Sequence, residues 1–223
     1  MRYPVNEVFL SIQGEGVHAG RRAVFVRLQG CPVGCQWCDT KHTWPVLGED
    51  RVQPPDVLLK DRDSSHHAMM YADDILEAVT QLDDFGDAMV VITGGEPALY
   101  DLRPLTEGAR LRGRTVQVET SGTHGIECDQ KTWVTVSPKY NMPGGFQVLG
   151  SVLERANEIK IVIARESDLD RADALLAEYG AARPVYIQPV SANARLTALC
   201  VDRVTRGGGL RLSLQMHKFA GIR

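Results

Sequence analysis

Cys31, Cys35 and Cys38 lie within eight residues, in the run Cys31-Pro32-Val33-Gly34-Cys35-Gln36-Trp37-Cys38. Thiolates are soft ligands that suit zinc or an iron–sulfur cluster. A structural zinc site is closed by four ligands, and no fourth thiol is near; His42 is the residue that could complete one. The spacing C-x3-C-x2-C instead supplies three ligands to a four-iron cluster, leaving one iron open to a substrate or cofactor. The cluster is the favoured reading and zinc with His42 the alternative. Gly30, Pro32 and Gly34 suit a backbone that must fold tightly round such a centre.

Thr93-Gly94-Gly95-Glu96-Pro97 follows an apolar run. Alone, paired glycines after a strand mean a tight turn; lacking Cβ atoms, they also let a ligand approach the backbone. Ser11-Ile12-Gln13-Gly14-Glu15-Gly16 and Arg27 are open to two readings. They are a plain turn and a surface arginine, or exposed amides for a flat heteroaromatic ligand and a planar fork for its carboxylate.

The elements that position these residues alternate between strand and helix. Apolar, β-branched runs at 23–28, 89–93, 115–119, 133–137, 159–163, 185–188 and 210–214 predict strands. Several are near-continuously apolar, as in strands covered by helices on both faces. Asp74 is placed to cap one helix, Asp101 to open the next and Ser167 to precede a third that Gly180 would end in a left-handed turn. A last long helix is expected from Ala194 to Gly207-Gly208-Gly209. The pattern predicts one α/β domain over 1–223 with a mainly parallel sheet, open or an incomplete barrel. Residues 45–70 read as an insertion or excursion, and 140–150 as a loop.

Composition bounds the function. The 223 residues carry 25 Lys+Arg against 28 Asp+Glu, a net charge of −3, which gives no electrostatic case for a nucleic-acid or membrane partner. No apolar run reaches membrane-spanning length, and the first residues have no signal-peptide character. Five cysteines are too few and too unevenly spaced for a secreted disulfide framework. The expected compartment is the reducing cytoplasm.

With the cysteine loop and the Gly94-Gly95-Glu96 run in order, the chain resembles the radical S-adenosylmethionine superfamily. Ser11–Gly16, Arg27, Asp39-Thr40-Lys41-His42-Thr43-Trp44, Val118-Glu119-Thr120-Ser121-Gly122-Thr123 and Gln215-Met216-His217-Lys218 narrow the resemblance to the 7-carboxy-7-deazaguanine synthase family. The resemblance implies a modified partial (β/α) barrel of the radical S-adenosylmethionine type. It implies a carbon–nitrogen lyase of queuosine and 7-deazapurine biosynthesis, which contracts 6-carboxy-5,6,7,8-tetrahydropterin to 7-carboxy-7-deazaguanine with loss of ammonia. A 4Fe–4S cluster, S-adenosylmethionine used catalytically and Mg²⁺ are the implied cofactors. An external electron donor such as flavodoxin and a homodimer are the implied partners.

Residue roles follow from the same resemblance. Cys31, Cys35 and Cys38 would hold the cluster, and Thr40 the Mg²⁺, although a lone threonine hydroxyl is ordinarily a surface or capping group. Trp37, Cys38, Asp39, Gly95, Glu96, Ser137, Pro138 and Lys139 match S-adenosylmethionine positions. Ile12, Gln13 and Gly14 (largely through backbone), Arg27, Thr93, Glu119, His217 and the terminal Arg223 match substrate positions. Glu119 would accept the pterin N–H donors and Arg27 would pair its acid group. Cys128 and Cys200 read as packing or partly exposed thiols, His66-His67 as solvated, and 45–70 as a flap beside the cluster or a partner surface. A radical activase acting on a protein, or a zinc-stabilised binding protein, is the alternative.

Overall fold

The structure, a computed structural model, describes residues 1–58 and 60–222. Its strands are β1 (Arg2–Ile12), β2 (Arg22–Leu28), β3 (Ala68–Tyr71), β4 (Met89–Gly94), β5 (Val116–Thr120), β6 (Trp133–Val136), β7 (Glu158–Ile163), β8 (Val185–Pro189) and β9 (Arg211–Leu212). They form one nine-stranded sheet in the order β3-β1-β2-β4-β5-β6-β7-β8-β9. From β2 through β9 every pairing is parallel, while β1 is antiparallel to both its neighbours. The helices are α1 (Pro54–Leu58), α2 (Ala72–Leu82), α3 (Arg103–Leu111), α4 (Gly150–Arg155), α5 (Asp168–Tyr179), α6 (Ala194–Thr205) and α7 (Met216–Ala220). β5 passes to β6 without one.

Strand alternation decides what each face does. Val24, Val26, Val90, Ile92, Val116 and Val118 pack with Ile75, Leu76 and Val79 of α2 and with Leu105 and Ala109 of α3. Val134, Val136, Ile159, Ile161, Ile163, Val185 and Ile187 pack with α4, α5 and α6. Each such aliphatic contributes about 1.5–3 kcal/mol by its burial. The residues between them face the other way: Arg27, Thr93, Gln117, Glu119, Thr135, Glu158, Lys160 and Gln188. Helices on both faces, the expectation from the apolar runs, is therefore corrected. Helices cover one face, and the other carries polar side chains into a cleft.

The sheet curls round that cleft. β1 and β7 are five positions apart, about 24 Å in a flat sheet at ~4.8 Å per strand. Yet Glu15, just after β1, is ion-paired with Lys160 of β7, and the Val17 amide donates to Glu158 Oε2 at 2.8 Å. Gly16 makes this crossing possible. Its φ is +65°, and a Cβ there would lie 2.4 Å from a Glu158 oxygen, so only glycine fits.

Several expectations change. β1, the longest strand, and β3 were not foreseen, and β9 is far shorter than 210–214. Asp74 does not cap α2; the helix begins two residues earlier and Asp74 accepts the Tyr71 amide at 3.1 Å. Gly180 has φ −64°, not a left-handed value; it is needed because a Cβ would lie 2.4 Å from Leu176 O. The stretch 45–70 supplies α1, with Val57 fully buried in the core, and runs into the edge strand β3. His67 is buried beside it rather than solvated. Cys200 is a core residue, as expected.

Candidate functional site

The parallel strands deliver their C-terminal ends to the cleft, where the cysteine loop, the loop after β4 and the loop after β1 meet. Cys31, Cys35 and Cys38, free of disulfides, all line it, with Trp37, Asp39 and Thr40. The loop is built on the one after β4. Gly95 N–H donates to Leu28 O at 2.9 Å and Glu96 N–H to Gly30 O at 2.7 Å. A Cβ on Gly95 would stand 2.1 Å from Gly30 O, and one on Gly94 2.4 Å from the Leu28 backbone. These glycines thus allow the close approach of the cysteine loop, and both line the cleft.

Glu96 is almost fully buried. Its Oε1 accepts from Thr120 Oγ1 at 2.7 Å and from the Ala98 amide at 2.9 Å. Its Oε2 accepts from the Ser121 amide at 2.8 Å and from the Ser121 hydroxyl. The carboxylate therefore ties the loop after β4 to the end of β5, and Glu96 also lines the cleft.

A substituted site would need acceptors, a cation and a flat wall, and the cleft has all three. Phe9 and Phe25 stack with ring centroids 5.1 Å apart. Arg27 donates through Nε to Glu7 Oε1 at 2.6 Å. Glu7 follows a bulge at Asn6 in β1, and bulges re-aim side chains. The bulge is pinned from 45–70: Asn6 Nδ2 donates to Ser64 O at 2.9 Å, and Lys60 Nζ donates to Asn6 O at 3.0 Å. That stretch, none of whose described residues lines the cleft, thus acts on it at one remove.

Glu119 sits opposite Thr135, and Thr135 opposite Glu158. Glu119 Oε1 accepts from Gln13 Nε2 at 3.1 Å and lies 3.7 Å from Lys160 Nζ. Gln13 is also bonded to Gln117 at 3.0 Å, and its backbone N–H and C=O pair with Arg21 and Gly20. Gln13 is thus anchored within the protein while lining the cleft. Burial alone would raise the Glu15 carboxyl, but Lys160 beside it holds it below the usual carboxylate range. Burial alone would lower Lys160, but Glu119 and Glu15 raise it above the ordinary lysine value.

Burial pushes the Cys31 thiol up to about 11 and Cys35 up as well, so ligation must displace protons. Burial pulls Lys139 down; its ammonium donates to Ser137 O at 2.8 Å. Among the described residues no three His, Cys, Asp or Glu side chains converge on one ion position. His42 faces Asp63 at 3.9 Å and does not line the cleft, so it is not placed to complete a zinc site with the three thiols. Three free thiols on one cleft, with Trp37 Nε1 buried and unpartnered beside them, fit a cluster with a bound cofactor.

Ile12, Gly14, Thr93, Ser137 and His217 line the same cleft, and Pro138 is buried behind it. Arg223 lies outside the described residues. The Met216 amide donates to Gly14 O at 3.3 Å, which seats α7 at the rim. Asp39 accepts from Gln215 Nε2 at 3.0 Å and from Lys218 Nζ at 2.9 Å. Sequence reasoning missed Lys160, Gln188, Ser191 and the role of Gln117. Glu15 was quoted only within a motif. Ser191 has φ +51°, an unusual value for a non-glycine residue.

Residues 25–131 match the model of the radical SAM superfamily. The chain is 46% identical to the 7-carboxy-7-deazaguanine synthase of Escherichia coli (strain K12), over the whole of both chains. It is 34% identical to the synthase of that name from Synechocystis sp., covering 99% of this chain and 94% of the relative. The crystal structure of QueE from Escherichia coli superposes with a TM-score of 0.88, at 46% identity, over 96% of this chain and 94% of that one.

Proposed function

The chain belongs to the 7-carboxy-7-deazaguanine synthase family within the radical S-adenosylmethionine enzymes, and from that membership we propose how its cleft divides the work. The reaction is the carbon–nitrogen lyase step that converts 6-carboxy-5,6,7,8-tetrahydropterin into 7-carboxy-7-deazaguanine with loss of ammonia. When bound, the 4Fe–4S cluster supplies the electron that splits S-adenosylmethionine, the source of the hydrogen-abstracting radical.

Cys31, Cys35 and Cys38 hold that cluster, and Trp37, Asp39, Gly95, Ser137 and Lys139 border the cofactor. The pterin lies along Phe9 and Phe25. Arg27, aimed by Glu7, pairs its carboxylate, since a guanidinium fork matches that geometry. Glu119 and Thr93 take its N–H and polar edge, and His217 with Gly14 and Ile12 closes the rim. Thr40 offers a hard oxygen to Mg²⁺, which keeps several waters and can share the substrate carboxylate. Water is excluded by α7, with its Lys218 and the preceding Gln215 clasping Asp39. The reading includes a one-electron donor such as flavodoxin and a homodimer. Among the described residues no helix is long and apolar enough to cross a membrane.

The observation that carries this reading is the meeting of the three thiols with Arg27, Thr93, Glu119 and His217 in one cleft. Anaerobic turnover of the cluster-loaded protein with reductant, S-adenosylmethionine, Mg²⁺ and the pterin tests it. Mass spectrometry should find 7-carboxy-7-deazaguanine without stoichiometric loss of S-adenosylmethionine. Cofactor cleavage with no deazapurine would sink the substrate assignment.

A further inference from the structure

Lys160 and Glu15 have no part in that division of work, and they are unusual residues to bury. The Lys160 side chain is 5% exposed and that of Glu15 12%. A buried ion pair is a poor source of stability, because desolvation offsets its attraction and apolar residues of similar volume do as well. What distinguishes this pair is its third member. Glu119 Oε1 accepts from Gln13 Nε2 at 3.1 Å, meets Gln117 Nε2 at 3.5 Å and is ion-paired with Lys160 Nζ at 3.7 Å. Among the described residues Glu119 Oε2 has one long contact, from Thr93 Oγ1 at 3.5 Å.

We propose that Lys160, held in place by Glu15, is a positioning residue that binds down one oxygen of Glu119 and turns the other toward the pterin's N–H donors. The inference rests on the assignment of Glu119 to the substrate. Lys160 lies on β7 and Glu15 on the loop after β1, so the sheet's curl is what brings them to β5. The charged or titratable groups facing the pair are Glu119, Glu158, Lys139 and His217. The carboxylate of Glu158 is occupied by the Thr135 hydroxyl at 2.7 Å and the Val17 amide. Without its cation, Glu119 would lose the ion pair on Oε1, leaving Gln13 to hold that oxygen.

The test is turnover at varied pterin concentration by cluster-loaded Lys160→Met, Lys160→Arg and Glu15→Gln proteins, with cluster absorbance and melting temperature as controls. Lys160→Met should raise KM for the pterin on the order of tenfold. Its kcat should change little, as for loss of an interaction equal in ground and transition states. Lys160→Arg should recover most of the loss. Glu15→Gln should raise KM in the same direction by less, because an amide oxygen still accepts from the ammonium. A purely structural role would lower the melting temperature and the active fraction without a selective rise in KM. That result overturns the proposal, as does a cluster-loaded Lys160→Met protein with wild-type KM. If Lys160→Met fails to load a cluster, Glu15→Gln decides alone: a wild-type KM refutes the proposal. Wild-type protein that makes no deazapurine would refute the substrate assignment instead.

Discussion

Two buried charge clusters stand on either side of β5, one before its start and one towards its end, with inverse composition. Before β4, one carboxylate, Asp83, is shared by Arg22 at the start of β2 and Arg114 just before β5. At the cleft, one ammonium, Lys160, is shared by Glu15 and Glu119. Asp83 also accepts the Ala88 amide at 2.9 Å and its side chain is fully inaccessible. None of its partners lines the cleft. Its valences are closed by protein, whereas Glu119 keeps one oxygen loosely engaged. The same physics therefore serves two ends: a closed cluster ties strand ends together, and an open one holds a polar atom ready for a ligand.

Removing the chemistry while leaving both clusters intact should give the largest effect. Cys35→Ser is expected to abolish turnover and the cluster's visible absorbance while the far-ultraviolet circular dichroism stays native. Loss of fold instead would mean that the loop is a structural centre.

Asp83→Asn comes next and should fall on stability alone. Breaking a buried pair and stranding its partners costs about 3 kcal/mol, roughly 10 °C in melting temperature for a chain of this size. The kcat/KM of the folded fraction should be unchanged. Burial alone would raise the Asp83 carboxyl, but the Ala88 amide and the two guanidiniums bring it below the usual aspartate range. Its contribution is therefore full above the unfolded aspartate value of ~3.9 and is lost as pH falls through the lower folded value. The wild-type melting temperature should fall more steeply below that pH than the variant's. Equal slopes would assign the acid sensitivity elsewhere.

At the cleft end, Thr40→Ala should lose Mg²⁺ stimulation while keeping the cluster. An unchanged Mg²⁺ response would remove Thr40 from the metal site. Lys218→Met should have the smallest effect. The Lys218–Asp39 pair is partly exposed, and such pairs contribute up to about 1 kcal/mol. KM should rise by no more than about fivefold, at the corresponding ratio. A larger loss would make the clasp part of binding rather than of closure.

The clusters also differ in how far they could be read in advance. The strands were visible because Val24-Phe25-Val26 or Ile159 to Ile163 place branched aliphatics where helices cover them. β1 was hidden: Pro4, Asn6 and Glu7 break its alternation, and the bulge at Asn6 shifts its register. The Glu15–Lys160 pair spans 145 positions, and no local pattern connects residues so far apart. Nothing local to Gly94-Gly95-Glu96 shows Glu96 to be a strut between two loops, because its partners Thr120 and Ser121 lie 24 and 25 positions on.

The sequence by itself determined the chemistry on offer: three thiols in one short loop, a guanidinium, a carboxylate and glycines where loops must cross. These are local facts, set by residue type and spacing. The tertiary structure decided which of these groups are spent and which remain available. Gln13 and Glu96 line the cleft with hydrogen bonds already made to the protein, and Glu7 holds Arg27, while Glu119 keeps one oxygen loosely engaged. That division depends on how far the sheet curls. Only the curl brings β1 across to β7, and only a packed core on the outer face can hold it there.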